Sequence, residues 1–210
     1  MEDRAGSNDD VRRLAHVDGR QTAEGSFAPT IVIVEGVSDQ VALEALAERR
    51  GRNLDAEGIS IVPIGGAQSI GRFLDLFGAQ GHDVRLAGLC DVAEAGDFQR
   101  GLERAGLGSD LTRAEMERLG FYACVADLED ELIRSLGASA VEEVLDAQGE
   151  LGSFRTFQKQ SAQQGKTPEA QLRRFMGTRS GRKAQYARLL VHALDLTRAP
   201  RPLDRVLAHV

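Results

Sequence analysis

Three short apolar runs in this chain each end on a carboxylate, and this pattern most narrows what the chain can fold into. Thr30–Val34 reads TIVIV and runs into Glu35-Gly36. Residues 84–90 read VRLAGLC and run into Asp91. Residues 121–126 read FYACVA and run into Asp127. Runs without polar alternation suit strands buried on both faces. A fourth such run covers residues 59–64. The stretches between them read as helices: DQVALEALAERRG, opened by Ser38 or Asp39 and ended by Gly51, then residues 67–77, a segment around 98–105, and Leu128–Leu136. Thr112 with Glu115 forms a capping box for a further short helix. Strand and helix in alternation imply a mostly parallel sheet with right-handed crossovers and helices on its faces, an α/β fold. Ligands of such sheets bind at the carboxyl ends of the strands, so Glu35, Asp91 and Asp127 are expected to converge on one edge.

The strand signals stop near Leu151. Thr167-Pro168-Glu169 is a helix start with Pro at the first helical position, and Ser180 or Gly181 opens another helix that runs to Leu194. The expected organisation is a flexible leader over 1–28, which is polar and rich in Gly, Ser and Asp, an α/β catalytic domain over 29–150, and a basic helical extension over 151–210 packed on it. Charge divides along the same line. Residues 151–210 hold 12 Lys and Arg against 3 Asp and Glu, whereas residues 1–150 hold 14 against 29, within a net charge of -6. A basic tail beside an acidic core suits phosphate binding next to a cation site, or a solvated helical surface. No run approaches the roughly 20 apolar residues of a membrane span. The first residues, MEDRAGSNDD, lack the apolar core of a signal peptide, so a cytoplasmic protein with no membrane partner is expected. Cys90 and Cys124 each close an apolar run and read as reduced core thiols.

Converging carboxylates repel one another unless a cation lies among them, and hard oxygen donors select Mg²⁺ or Mn²⁺. Two further acids are placed to join: Asp39, one helical turn after Glu35, and Glu129, two residues after Asp127. Taken singly, each acid reads as a helix cap or a solvated end. Five at matched strand-end positions read as a metal site. Gly65 and Gly66, after the second strand, form either a plain turn or a place where backbone approaches phosphate, but GGAQSIG is neither a P-loop nor a dinucleotide fingerprint. His16, His82, His192 and His209 show no ligand spacing.

The stretches VEGVSDQVAL, PIGGAQSIGRFL, LCDVAEAGDF, VADLEDELI and GRKAQYARLL, in that order over about residues 30–194, resemble the Toprim domain of the OLD (overcoming lysogenization defect) endonucleases. Toprim is the fold that topoisomerases, primases and such nucleases share. The resemblance implies a Toprim-like, Rossmann-like sheet. It implies Glu35 as metal ligand or general acid/base, Asp39 as the second acid of the same motif, Asp91 as the first aspartate of D-x-D, and Glu129 as a further metal-binding glutamate. Lys183 then matches a lysine that steadies charge in the transition state. The second aspartate of D-x-D is Ala93 here, with Glu94 adjacent and Asp97 close as substitutes. No stretch matches the ATPase domain usual in OLD proteins, so a Toprim unit without it is expected.

The expected activity is metal-dependent phosphodiester hydrolysis of nucleic acid, DNA before RNA. Metal would polarise the phosphate, and Arg173, Arg174, Arg179 and Arg182 would grip the backbone without reading sequence. The competing reading is a catalytically silent binding or regulatory module that works with a separate ATPase, which Ala93 favours. A receiver or HAD-like phosphatase fits less well, because a HAD-like enzyme places D-x-D at the end of its first strand, where this chain has E-G. A homodimer is compatible with either reading.

Overall fold

The computed structural model describes residues 29–66, 69–77 and 84–210. The expected leader, with His16, and His82 lie outside them. The elements run β1 (Thr30–Val34), α1 (Val37–Arg49), β2 (Ile59–Pro63), α2 (Ile70–Phe77), β3 (Arg85–Cys90), α3 (Ala95–Arg104), α4 (Arg113–Arg118), β4 (Phe121–Ala123) and α5 (Leu128–Leu136). Five more helices follow: α6 (Ala138–Ala147), α7 (Leu151–Gln158), α8 (Pro168–Met176), α9 (Arg182–Ala193) and α10 (Arg201–His209). The four strands form one sheet in the order β2-β1-β3-β4, and every pair is parallel.

All five residues of β1 are buried, as a run of β-branched side chains with no polar alternation requires of a central strand. Successive residues point to opposite faces. Val32 and Val34 share one core with Ile61, Ala87, Leu89 and residues of α1, α5, α9 and α10. Ile31 and Ile33 share another with Phe73 and Leu74 of α2 and Phe98 and Leu102 of α3. The sheet is therefore the middle of three layers. Each buried Val or Ile contributes on the order of 1.5–3 kcal/mol, and both cores draw on β1. At Gly88 in β3, a Cβ atom would stand 2.6 Å from the Phe121 ring and 3.0 Å from the Ile33 carbonyl oxygen. Only glycine lets that aromatic ring lie against the sheet.

Several local expectations need correction. α1 is capped by Gly36, not by Ser38 or Asp39, and Asp39 instead accepts a hydrogen bond from the Gly36 N–H at 2.9 Å. β4 stops at Ala123 rather than 126. The Cys124 N–H still reaches the Cys90 carbonyl oxygen at 2.8 Å, but the Val125 N–H donates to the Glu131 carboxylate at 2.7 Å. Val125 is out of phase with the residues that pair with β3, and a side chain supplies the partner for its N–H at the open edge. α3 starts at Ala95, three residues before the expected segment, and α6 and α7 were not anticipated. The capping box at Thr112 and Glu115 and the Thr167-Pro168 helix start are both present.

The last sixty residues bury their apolar sides in the same core as the sheet: Leu172, Phe175, Tyr186, Leu190, Leu203 and Val206 pack with Val32 and Leu89. Arginines at the end of α1 tie this part down. Arg49 donates to the carbonyls of Val191 and Leu194 at 2.7 and 2.6 Å. Arg52 donates to those of Leu207 and, at 3.0 Å, Val210. These carbonyls lie at or just past the ends of helices, where cations oppose the negative end of the helix dipole.

Arg182 was expected to hold phosphate, and its placement corrects that. It is 4% exposed. Its guanidinium donates to Phe175 O, Thr178 Oγ1 and Glu150 Oε1 and lies 4.2 Å from the Phe175 ring centroid. Glu150 also accepts from Tyr186 Oη at 2.7 Å. Removing one member of a buried pair is strongly destabilising, and Glu150 would keep only Tyr186 and, at 3.6 Å, Arg179. Arg182→Ala is therefore expected to lower unfolding free energy by about 2–4 kcal/mol, below the fully buried case because Glu150 is partly exposed. Urea denaturation checks this, and an unchanged midpoint would return Arg182 to the surface.

Candidate metal centre

The parallel register sets the site. Val34 stands opposite Leu89, so β1 and β3 finish at nearly the same level and release Glu35 and Asp91 side by side. The Asp91 N–H donates to Glu35 Oε1 at 2.6 Å. The turn after β3 then brings in Glu94. One carboxylate oxygen from each of Glu35, Asp91 and Glu94 lies within 4.8 Å of the others, and all three residues are half-buried. Glu94 Oε2 is buried and has no hydrogen-bond partner among the described residues. Of the two acids that follow Ala93, Glu94 is the one whose oxygens approach Glu35 and Asp91. Asp97 pairs with Arg100 on its own helix.

The other predicted acids line the same edge but are differently engaged. Asp39 is 9% exposed and is held by Gly36. Asp127 caps α5, accepting from the Asp130 N–H at 2.9 Å through Oδ1, while Oδ2 accepts from Arg173 Nε at 2.7 Å. Glu129 is buried and accepts from Lys183 Nζ at 2.9 Å through Oε2. Gly65 and Gly66 adopt positive φ angles of 69° and 121°, and the Gly66 N–H donates to the Glu35 carbonyl at 3.2 Å. This places the glycine turn beside the first acid. Sequence reasoning did not single out Glu131. It is buried, receives the Val125 N–H and pairs with Arg134 at 2.6 Å, which shapes the turn that presents Asp127 and Glu129. Its only sequence signal is the density of acids in D-L-E-D-E.

Electrostatics mark the cluster as short of positive charge. Burial, joined by the charges of Glu35, Asp39, Asp127 and Glu94, pushes Asp91 up to about 8. Burial pushes Asp39 up to about 7 against the Gly36 hydrogen bond, with Glu35 and Glu129 adding to the rise. Burial also raises Glu35, partly offset by the hydrogen bond from Asp91. Burial works against the Lys183 ammonium, but the hydrogen bond to Glu129 and the charges of Glu129, Asp127 and Asp91 hold its pKa above the usual lysine value. Several close, poorly compensated carboxylates and a buried orphan oxygen fit a hard divalent cation such as Mg²⁺ or Mn²⁺.

A pH dependence follows. The folded pKa of Asp39, about 7, lies above its ordinary 3.8, so between these values the native state binds more protons than the unfolded one. Stability from this group is full below about 4 and is lost as pH rises through about 7. Without metal, the wild type is expected to lose thermal stability relative to Asp39→Asn between about pH 5 and pH 8. Parallel melting curves of the two proteins in a chelator would exclude this effect.

A groove of about 740 Å³ runs along α1 and β2, lined by Glu44, Glu48, Arg52, Ile61 and Pro63 among others, and none of the clustered acids lines it. Among the described residues, no helix is long and apolar enough to cross a membrane.

Comparison with known proteins agrees with this layout. The family model of the overcoming lysogenization defect protein-like TOPRIM domain matches residues 27–92, a span that includes Glu35, Asp39 and Asp91. No curated protein sequence matches the chain. The C-terminal region of the Xanthomonas campestris pv. campestris OLD protein superposes with a TM-score of 0.68 at 21% identity, covering 88% of this chain and 92% of that one. The C-terminal region of the Burkholderia pseudomallei OLD protein superposes with a TM-score of 0.66 at 20% identity, covering 88% and 97%. At such identities the likeness is one of fold. Residues 27–92 thus match the family model of the OLD-type Toprim domain, a span that holds the first two acidic strand ends, and the chain shares the fold of those C-terminal regions.

Proposed function

We propose that the chain is a divalent-metal-dependent nuclease that hydrolyses phosphodiesters of nucleic acid, DNA before RNA, in the cytoplasm. The observation that carries this reading is the trio Glu35, Asp91 and Glu94, with one carboxylate oxygen from each within 4.8 Å of the others, beside the lysine at position 183. A bound Mg²⁺ or Mn²⁺ supplies Lewis acidity toward a phosphoryl oxygen and makes water more acidic. Glu35, fixed through Oε1 by the Asp91 N–H, orients the trio. Lys183, pinned on Glu129, keeps its proton and sets a fixed positive charge where negative charge builds on the phosphate. Exposed arginines of the C-terminal helices, such as Arg174, give the backbone electrostatic purchase.

Ala93 favours a second reading, a silent Toprim module that binds nucleic acid alongside a separate ATPase. A supercoiled-plasmid assay with Mn²⁺ separates the two. Nicking by wild type that chelator and Glu35→Gln both abolish supports the nuclease. Bound Mn²⁺ with no cleavage of plasmid, single strand or RNA supports the silent module.

A further inference from the structure

We propose that this chain holds a single divalent cation, between Glu35, Asp91 and Glu94, and that Arg173 and Lys183 supply at Asp127 and Glu129 the positive charge that a second ion would bring. The inference rests on the metal-dependent reading and deepens it. The acids at the strand ends divide by what they touch. Among the described residues, Glu35, Asp91 and Glu94 make no ion pair, and their oxygens converge. Across the edge, both oxygens of Asp127 are committed, one to the Asp130 N–H and one to Arg173. Glu129 gives Oε2 to Lys183 at 2.9 Å.

One oxygen remains on that side. Glu129 is 4% exposed, and its Oε1 has no hydrogen-bond partner among the described residues. Mg²⁺ and Mn²⁺ favour octahedral shells of about six oxygens. A single carboxylate oxygen beside an ammonium is a poor second site. Position 93, where D-x-D would add a ligand, is alanine. Arg173 comes from α8, 46 residues from Asp127, and its guanidinium is charged at any working pH. It is a positioning residue, because it holds the cap of the helix that carries Glu129.

Metal-free full chain is titrated with Mn²⁺, with free ion read by electron paramagnetic resonance and heat by calorimetry. Wild type is expected to take up one equivalent. The double variant Arg173→Ala with Lys183→Ala releases Asp127 Oδ2 and Glu129 Oε2, and is expected to take up a second, weaker equivalent. Two equivalents in wild type would overturn the inference and leave the metal-dependent reading standing. No uptake by wild type would overturn both. A folded double variant that still takes one equivalent would show that the two cations do not stand in for an ion. Should it fail to fold, the wild-type count and Arg173→Ala alone decide.

Discussion

Asp91→Asn is expected to lower Mn²⁺ affinity by more than the roughly 10–100-fold that losing an outer-shell partner of a metal site costs, and to abolish cleavage with it. Asp91 leaves β3 beside Glu35 and donates its own N–H to that residue, so it both offers an oxygen and fixes its neighbour. The substitution keeps shape and backbone and removes only the charge. Its effect on the folded state alone has the opposite sign. Asp91 is pushed up to about 8 by burial and by the surrounding acids, so a neutral amide relieves repulsion there. The expected signature is therefore a protein at least as stable as wild type in chelator that no longer gains stability from Mn²⁺, since a ligand stabilises only the state that binds it. Calorimetry and thermal melts with and without Mn²⁺ check it. Equal Mn²⁺ affinity in wild type and variant would put the metal elsewhere.

Lys183→Ala is expected to slow cleavage by about 10²–10³-fold, the usual loss for one preorganised donor to developing negative charge, while leaving the affinity of the first Mn²⁺ nearly intact. An ammonium cannot ligate a cation, and the carboxylates that could hold one are others. Lys183 is half-exposed and aimed at Glu129, so it can meet substrate without leaving its partner far behind. The contrast with Asp91→Asn is the informative part: one variant loses metal and turnover together, the other loses turnover alone. Single-turnover nicking at saturating Mn²⁺ measures it. A variant that nicks at the wild-type rate would reduce Lys183 to a structural partner of Glu129.

Lys183 and Arg182 show where local sequence stops being informative. They are adjacent, and both read as phosphate-facing cations in a basic helix. Neighbouring helix residues point about 100° apart, so one turns inward to Glu150 and the Phe175 ring and the other outward to Glu129. Which goes which way depends on how α9 packs against α1 and α5, contacts between elements far apart in the chain. Asp39, one turn into α1, and Asp127, after β4, both lie at the acidic edge, yet Asp39 accepts from the Gly36 N–H and the oxygens of Asp127 go to the α5 cap and Arg173.

Local chemistry by itself determined the parallel sheet and its chemical edge. Each strand is a short apolar run, each apolar run at the centre of the sheet ends in an acid, and parallel register brings such ends level wherever they lie in the chain. That logic set Glu35 beside Asp91 and left Glu94 and Asp97 as alternatives near Ala93; which of them faces the other two acids was decided by the turn after β3. The end of β4, the buried role of Arg182, the clamp of α1 arginines on the C-terminal carbonyls and the pairing of Arg173 with Asp127 were decided only by tertiary structure. Each joins groups whose separation along the chain carries no periodic signal, and each is selected because a buried charge or an unpaired backbone group must find a partner once the helices have closed over the sheet.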